Sequence, residues 1–271
     1  RQKAKERRQS QSFVIEGERL VLDAPAEYLE EVYVTRGALE KSGERLAPLS
    51  GKITLLSEEA MAKASDTMSP QGILAVARQP RYSTEDLLGR ERRESLNVTS
   101  IEHVQTAASV LPHSAKSALQ ILPQRDIKVK TPLLLILEDI QDPGNLGTMF
   151  RTAEAAGATG ILMSRGTVDV FNPKTVRSTM SSIFRMPFAV EEDFHSALRD
   201  LQEKGIRLFA ACLDESRSYE FVDGRGACGF LIGNEGNGLT KETIQLADER
   251  VHIPMEGRIE SLNAAMSAGI L

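Results

Sequence analysis

The chain has 271 residues, 41% hydrophobic and 26% charged, and carries a formal net charge of −5. That length suffices for two ordinary domains, the balance is that of a globular protein, and no apolar run approaches the ~20 residues a membrane helix needs. A net negative chain does not coat nucleic acid by bulk charge, which leaves a local basic face as the electrostatic route to such a partner.

The sequence opens on RQKAKERRQSQ, which is charged and lacks the apolar stretch of a secretory signal. It opens without methionine, so an end is expected to be missing. Arg1, Lys3, Lys5, Arg7 and Arg8 make a basic arm, readable as a frayed, solvated terminus or as an arm that contacts phosphates. Phe13-Val14-Ile15 reads as a strand, and Gly17 to Ala24 as a helix with Leu20, Val21 and Ala24 on one face. Val32-Tyr33-Val34 and Ile53-Thr54-Leu55-Leu56 read as strands. Ser57 caps a helix with Glu58 and Glu59 in its first turn. Gly72 to Ala77 closes the unit as a buried strand. Residues 1–88 are therefore expected to form a small α/β domain. Residues 89–131, with charge runs such as GRERRES nearby and no firm period, read as a linker with an insertion that is partly helical near 114–122.

From 132 the pattern sharpens. Leu133-Leu134-Leu135-Ile136-Leu137 is a continuous apolar run, as in a strand covered on both faces of a parallel sheet. Further strands are expected at 161–163, 188–190, 208–212, 230–232 and 251–253. Helices are expected after the first strand, at 173–184, 194–204 and 240–247, and from 261 onward. Alternating strands and helices indicate a parallel, layered α/β domain over 132–271. Cys212 and Cys228 lie in strand-like runs and read as buried reduced thiols, the usage of an intracellular protein. His103, His113, His195 and His252 are scattered and read as structural or surface. No Cys/His cluster has metal-ligand spacing, so no metal is expected.

Three loops at strand ends carry the chemistry. In Asp142-Pro143-Gly144-Asn145-Leu146-Gly147-Thr148-Met149-Phe150-Arg151, Asn145 is placed to cap a helix whose apolar stripe is Leu146, Met149, Phe150 and Ala153. Arg151 projects from the other side and could be a surface ion pair or a functional cation. The loop lacks GxxxxGK[ST] and GxGxxG, so nucleotide hydrolysis and dinucleotide binding are poor readings. In Gly229-Phe230-Leu231-Ile232-Gly233-Asn234-Glu235-Gly236-Asn237-Gly238-Leu239, an apolar strand runs into glycines and one acid, Glu235. Small residues let backbone approach a ligand closely; the plainer reading is a tight strand-to-helix connection, with Thr240 and Glu242 opening the helix. In Ile253-Pro254-Met255-Glu256-Gly257-Arg258-Ile259-Glu260-Ser261-Leu262-Asn263, Ser261 can cap a helix whose face of Ala264, Ala265, Ser267, Ala268 and Gly269 permits very close packing. Ligands of open α/β sheets bind at the carboxyl edge, where all three loops belong.

NLGTMFRTAEAAG, GNEGNGL and IPMEGRIESLNAA, in that order and spacing, closely resemble the three motifs of the SpoU (TrmH) family of RNA 2′-O-ribose methyltransferases, of the SPOUT class. The match covers about 132–271. Residues 13–80 are similar, more weakly, to that family's N-terminal RNA substrate-binding domain. The resemblance implies a trefoil-knotted parallel-sheet domain, a homodimer through that domain, a cytoplasmic location, and transfer of a methyl group from S-adenosylmethionine to a ribose 2′-oxygen. The 2′-oxygen would sit in line with the methyl at roughly 3–3.5 Å. Ribosomal RNA is the substrate expected by analogy of layout, with transfer RNA as the alternative. By motif position the resemblance puts Leu213, Gly233, Ile253, Met255 and Leu262 around the cofactor, and Arg151, Asn145, Glu235, Ser261 and Asn263 in the catalytic constellation. A guanidinium stays protonated in proteins, so Arg151 is expected to clamp the target phosphate and stabilise alkoxide charge rather than act as a base. A non-catalytic RNA-binding member of the fold, or a knotted base methyltransferase, would also carry such a domain. Two features depart from the family pattern: residues 89–131 exceed the short connector it implies, and Leu271 falls inside the last expected helix.

Overall fold

The computed structural model describes residues 3–89, 130–259 and 261–271; the helical segment expected near 114–122 lies outside them. Two sheets organise the described chain. The first comprises β1 (Ser12–Glu16), β2 (Leu29–Thr35), β3 (Ile53–Leu56) and β4 (Ile73–Arg78) in the order β1-β4-β2-β3. β4 runs antiparallel to β1 and β2, whereas β2 and β3 are parallel. α1 (Ala4–Ser10) precedes it, and α2 (Glu18–Asp23), α3 (Arg36–Leu46) and α4 (Glu58–Ala64) connect its strands. Ser57 caps α4 by accepting from the Ala60 N–H at 3.2 Å.

Two readings of this half are corrected. α3 was not expected from the sequence: Gly37 and Gly43 weaken its helical pattern. It forms because the Thr35 hydroxyl caps it and Leu46 at its far end is buried in the core. At Arg7 the basic arm is neither frayed nor free to contact phosphates, while Lys3, Lys5 and Arg8 are exposed. Arg7 is only 4% exposed, and its Nη2 reaches Asp169 Oδ2 at 2.6 Å. A buried guanidinium needs such a carboxylate, because leaving the charge uncompensated away from water is far more costly.

The second sheet has seven strands, β5 (Leu133–Leu137), β6 (Gly160–Ser164), β7 (Phe188–Glu191), β8 (Arg207–Ala211), β9 (Arg217–Ser218), β10 (Cys228–Ile232) and β11 (Glu249–His252), all parallel, in the order β7-β6-β5-β10-β8-β11-β9. Its helices are α5 (Pro143–Ala156), α6 (Pro173–Thr179), α7 (Phe194–Glu203), α8 (Lys241–Leu246) and α9 (Ala264–Ile270). β5 shows why the apolar run is continuous. Leu135 and Leu137 enter one hydrophobic cluster and Leu134 and Ile136 the other, so both faces are covered. Gly147 lets α5 and α6 touch, since a Cβ there would stand 2.2 Å from the Ser178 Cβ. The two-residue β9 has no sequence signal and extends the sheet beyond β11.

The helix expected over 173–184 ends at Thr179. Met180 and Ser181 turn left-handed, with φ of 48° and 74°, and a 3₁₀ turn follows at Ser182–Phe184. The turn delivers Phe184 to Phe13 of β1, with ring centroids 5.9 Å apart. Further aromatic contacts, Phe13 to Phe171 at 4.9 Å, Phe171 to Phe188 at 5.9 Å and Phe188 to Phe150 at 5.3 Å, continue from the first sheet to α5. Residues just before the expected linker are also packed. The 3₁₀ turn Thr84–Leu88, closed by a capping box between Ser83 and Asp86, buries Leu87 and Leu88 in the cluster of Leu134 and Leu162. Among the described residues no helix is long and apolar enough to cross a membrane.

From β5 the chain builds outward through β6 and β7, then returns to place β8, β10 and β11 on the other side. The order reverses beside β5, and such a switch point opens a crevice outside the carboxyl ends of the strands.

Candidate active site at the carboxyl edge of the parallel sheet

Four strands end around this crevice. β5 leads into residues 138–145, β10 into 233–240, β8 into 212–216 and β11 into 253–263. Asp142 caps α5, accepting from the Asn145 N–H at 2.8 Å, with Pro143 in the first turn where a missing N–H costs nothing. The cap expected of Asn145 therefore belongs to Asp142, which frees the Asn145 side chain. Its Nδ2 donates to Glu235 Oε1 at 3.0 Å, and its Oδ1 accepts from Asn263 Nδ2 at 2.9 Å. Asn263 Oδ1 in turn accepts from the N–H groups of Ala265 and Met266, at 2.9 and 3.2 Å. Asn263, not Ser261, caps the last helix, which starts at Ala264. One asparagine carbonyl reaches two helix N–H groups, while Ser261 lies two residues upstream. The result is a directional relay from Glu235 through both amides to a helix N-terminus, joining loops up to 118 residues apart.

Glu235 is held from three sides. Its Oε2 accepts from the Gln141 N–H at 3.0 Å and its Oε1 from the Asp142 N–H at 3.0 Å, besides the bond from Asn145. Partial withdrawal from water pushes this carboxyl up, but the bonds from Asn145, Gln141 and Asp142 together outweigh it and hold it below the ordinary glutamate range. The loop around it is braced by Asn234, whose Oδ1 accepts from Gly236 and Asn237 N–H and whose Nδ2 donates to the Asp139 carbonyl. Gly233 is required by the loop itself. A Cβ there would lie 2.1 Å from the Gly238 carbonyl carbon and 2.2 Å from the Leu239 nitrogen, so only hydrogen fits where the loop folds back.

Beside the relay lies an open cleft lined by Leu213, Ile253, Met255, Ser261 and Leu262 with Cys212 and His252. Relay and cleft meet at 261–263. Among the described residues, the main-chain groups of Gly233, Ile253 and Leu262 pair with no other backbone group; Ile253 and Leu262 line the cleft, whereas Gly233 is buried and does not. Cys212, expected to be buried, is half-buried because it falls one residue past the end of β8, in the cleft wall. Its thiol is pushed up, chiefly by burial. Both cysteines are free. Arg151 stands apart. Six residues beyond Asn145, about 9 Å along the helix, it is exposed and makes no ion pair among the described residues.

Several supporting residues escaped the sequence reading. Asp142 was legible as an acid before proline at a helix start. Ser216 was not: its hydroxyl donates to the Leu213 carbonyl at 2.8 Å and stands 2.8 Å from His252 Nδ1, tying two walls of the cleft. Lys174 of α6, 3.7 Å from Asp142 Oδ2, carries no local signal either.

An open parallel sheet that gathers polar loops at its carboxyl edge, beside a cleft between the ends of β8 and β11, defines a ligand-binding α/β protein of the doubly wound class. Within that class the chain belongs to the SpoU rRNA methylase family, whose model matches residues 132–271. A second model, the MRM3-like substrate binding domain, matches residues 1–75. The chain is 30% identical to the 23S rRNA (guanosine(2553)-2′-O)-methyltransferase RlmP of Bacillus subtilis, over 98% of this chain and 89% of that protein. It is 36% identical over 138 residues to the 23S rRNA (guanosine-2′-O-)-methyltransferase RlmB of Xanthomonas campestris, which covers 51% of this chain and 55% of that one. The AdoMet-bound rRNA methyltransferase of Sinorhizobium meliloti superposes with a TM-score of 0.72 at 27% identity, over 99% of this chain and 88% of that one.

Proposed function

We propose that this protein transfers a methyl group from S-adenosylmethionine to a ribose 2′-hydroxyl of ribosomal RNA. The observation that carries the reading is the relay Glu235–Asn145–Asn263, which ties three loops distant in sequence together beside Ser261 and Leu262 of the cleft. The relatives named above support ribosomal RNA as the substrate class. The cofactor fits the residues present, with apolar walls at Leu213, Met255 and Leu262 and main-chain groups of Ile253 and Leu262, paired with no other backbone group, for an adenosine edge. When bound, S-adenosylmethionine supplies a methyl group already activated by its sulfonium.

The chain's own residues do the rest. Asn145, its amide fixed at both ends, orients the rim next to the ribose. Glu235 holds the two loops together and stays ionised, so the rim remains polar. Ser261, between cleft and relay, is placed to contact the ribose. The guanidinium of Arg151 has no carboxylate partner among the described residues and can grip the target phosphate, aligning the 2′-oxygen and stabilising charge that develops there. A phosphate oxygen or water takes the proton. Residues 1–88 serve as the substrate-binding unit, 89–131 as the connection, and 132–271 as the catalytic unit. A trefoil knot in 132–271, a homodimer through it and a cytoplasmic location complete the proposal.

The test has two parts. Calorimetry is expected to detect S-adenosylmethionine binding, and the ligand is expected to raise the melting temperature by mass action. Mapping of 2′-O-methylation across total RNA, with and without the gene, is expected to lose one ribosomal position. No binding at millimolar cofactor, together with an unchanged methylation map, would turn the protein into a non-catalytic RNA binder of the same fold.

A further inference from the structure

Glu138 follows directly on the all-leucine/isoleucine strand β5 and is 4% exposed. An acid is almost never this buried unless every lone pair is used. Its backbone N–H extends the sheet by donating to the Ile232 carbonyl at 2.9 Å. Its carboxylate reaches across to the far end of the glycine-rich loop. Oε2 accepts from the Thr240 N–H at 2.8 Å, and Oε1 accepts from the hydroxyls of Thr240 at 2.8 Å and Thr243 at 2.7 Å. With the Thr243 proton given to Glu138, the Thr243 oxygen is left to accept from His195 Nε2, 3.1 Å away. His195 Nδ1 lies 3.4 Å from Glu242 Oε1. The network thus runs from β5 through α8 to α7.

Set beside Glu235, the arrangement is reciprocal. The loop after β10 sends Glu235 to grip the backbone of residues 141 and 142, and the loop after β5 sends Glu138 to grip Thr240 and Thr243. Two carboxylates, one from each loop, clamp residues 233–240 at both ends. Glu235 sits at the open rim and Glu138 in the core. The segment between them carries Gly236, Asn237 and Gly238, whose N–H groups at 236 and 237 are braced by the Asn234 side chain.

We infer that Glu138 is a positioning residue. It holds the exit of the glycine-rich loop, and so sets the loop geometry on which cofactor binding depends, without touching the ligand. The cofactor part of this inference rests on the proposed function; the loop part does not. Replacing Glu138 with glutamine keeps the shape but turns one acceptor oxygen into a donor facing groups that already donate, and removes the charge that strengthens all three bonds.

The decisive measurement is hydrogen exchange by residue in the full chain. In Glu138→Gln, amides of 233–240 are expected to exchange about tenfold or more faster while those of β5 and β6 stay protected, and S-adenosylmethionine affinity is expected to fall by about tenfold with kcat at saturating cofactor changed far less. Thr243→Val removes one of the three donors and is expected to show the same pattern at a few-fold; it decides the matter if Glu138→Gln fails to fold. Unchanged exchange over 233–240 in Thr243→Val, or a uniform rise across the whole sheet, would overturn the positioning role. Faster loop exchange in a protein whose wild type binds no S-adenosylmethionine would leave the loop clamp standing and remove the proposed function instead.

Discussion

The two sheets differ in one property with large consequences. In the four-stranded sheet, β4 opposes β1 and β2, so carboxyl ends are shared between two edges and no set of polar loops converges. Its loops are fixed singly, as where Glu16 accepts from Ser65, Asp66 and Thr67 to shape the turn after α4. In the seven-stranded sheet every paired strand runs the same way. All carboxyl ends meet at one edge, and partly polar segments that could not survive inside the core collect there. Parallelism turns scattered loops into a site, whereas the mixed sheet yields a surface. The first unit should therefore tune affinity for a large partner, and the second should set the rate of chemistry.

The strongest way to break this contrast is at the rim. Arg151→Ala and Asn145→Ala are each expected to lower the single-turnover rate of methyl transfer by about 10²–10³-fold, the loss typical of one charge-stabilising group. The melting temperature and cofactor affinity of Arg151→Ala should stay near wild type, since the side chain has no ion-pair partner among the described residues to abandon. A rate within twofold of wild type would remove Arg151 from the mechanism.

The next effect concerns the glycine-rich loop. Gly233→Ala must push the Gly238–Leu239 backbone away from a contact of 2.1 Å, and backbone cannot swing aside as a side chain can. Overpacking of this kind costs about 1–3 kcal/mol, and here it should also shift the loop that carries Glu235. S-adenosylmethionine binding is expected to weaken by more than tenfold. Gly257→Ala, in the next loop with nothing within 4 Å, is the matched control and should be close to neutral. Equal effects of the two substitutions would show that loop closure at Gly233 does not shape the cleft.

A smaller effect tests whether the two sheets act as one body. Arg7→Ala removes the ion pair to Asp169 and the packing of the arginine stem. Breaking a fully buried pair costs about 3–5 kcal/mol, but the Asp169 side chain is 27% exposed and rehydrates in part, so about 2 kcal/mol is expected in chemical denaturation. A single cooperative transition shifted by that amount supports joint unfolding. Two separate transitions would mean that the sheets are coupled only loosely.

The residues that were legible and those that were not divide along a physical line. β5 is readable because burial on both faces demands an unbroken apolar run, and α4 because a serine cap and first-turn acids are local. The three chemical loops stood out because glycine, asparagine and proline are costly inside regular structure and so mark special backbone. Capping assignments slipped by a few residues, at Asn145 for Asp142 and Ser261 for Asn263, because each of these residues can cap and only tertiary contacts choose between them. Arg7 was misread because its partner Asp169 lies 162 positions away. The same distance rule hid the role of Glu138. An acid at the end of LLLIL is an anomaly visible in sequence, yet Thr240 and Thr243 give no local sign that they answer it.

The finest test is electrostatic and sits on Glu235. Its folded carboxyl titrates below the ordinary value of about 4.3, since bonds from Asn145, Gln141 and Asp142 favour the ionised form against the penalty of partial burial. A depressed carboxyl contributes stability that is complete above the unfolded value and is lost as pH falls through the folded one. The difference in melting temperature between wild type and Glu235→Gln should then be flat from pH 8 to about 6 and shrink only below about 4–5. Because the carboxylate lies at the exposed rim and is screened, the whole change should be small, and larger at low salt than at high. A difference that vanished already near neutrality would place its titration above the ordinary range, and the hydrogen bonds across the two loops could not then be holding an ionised glutamate.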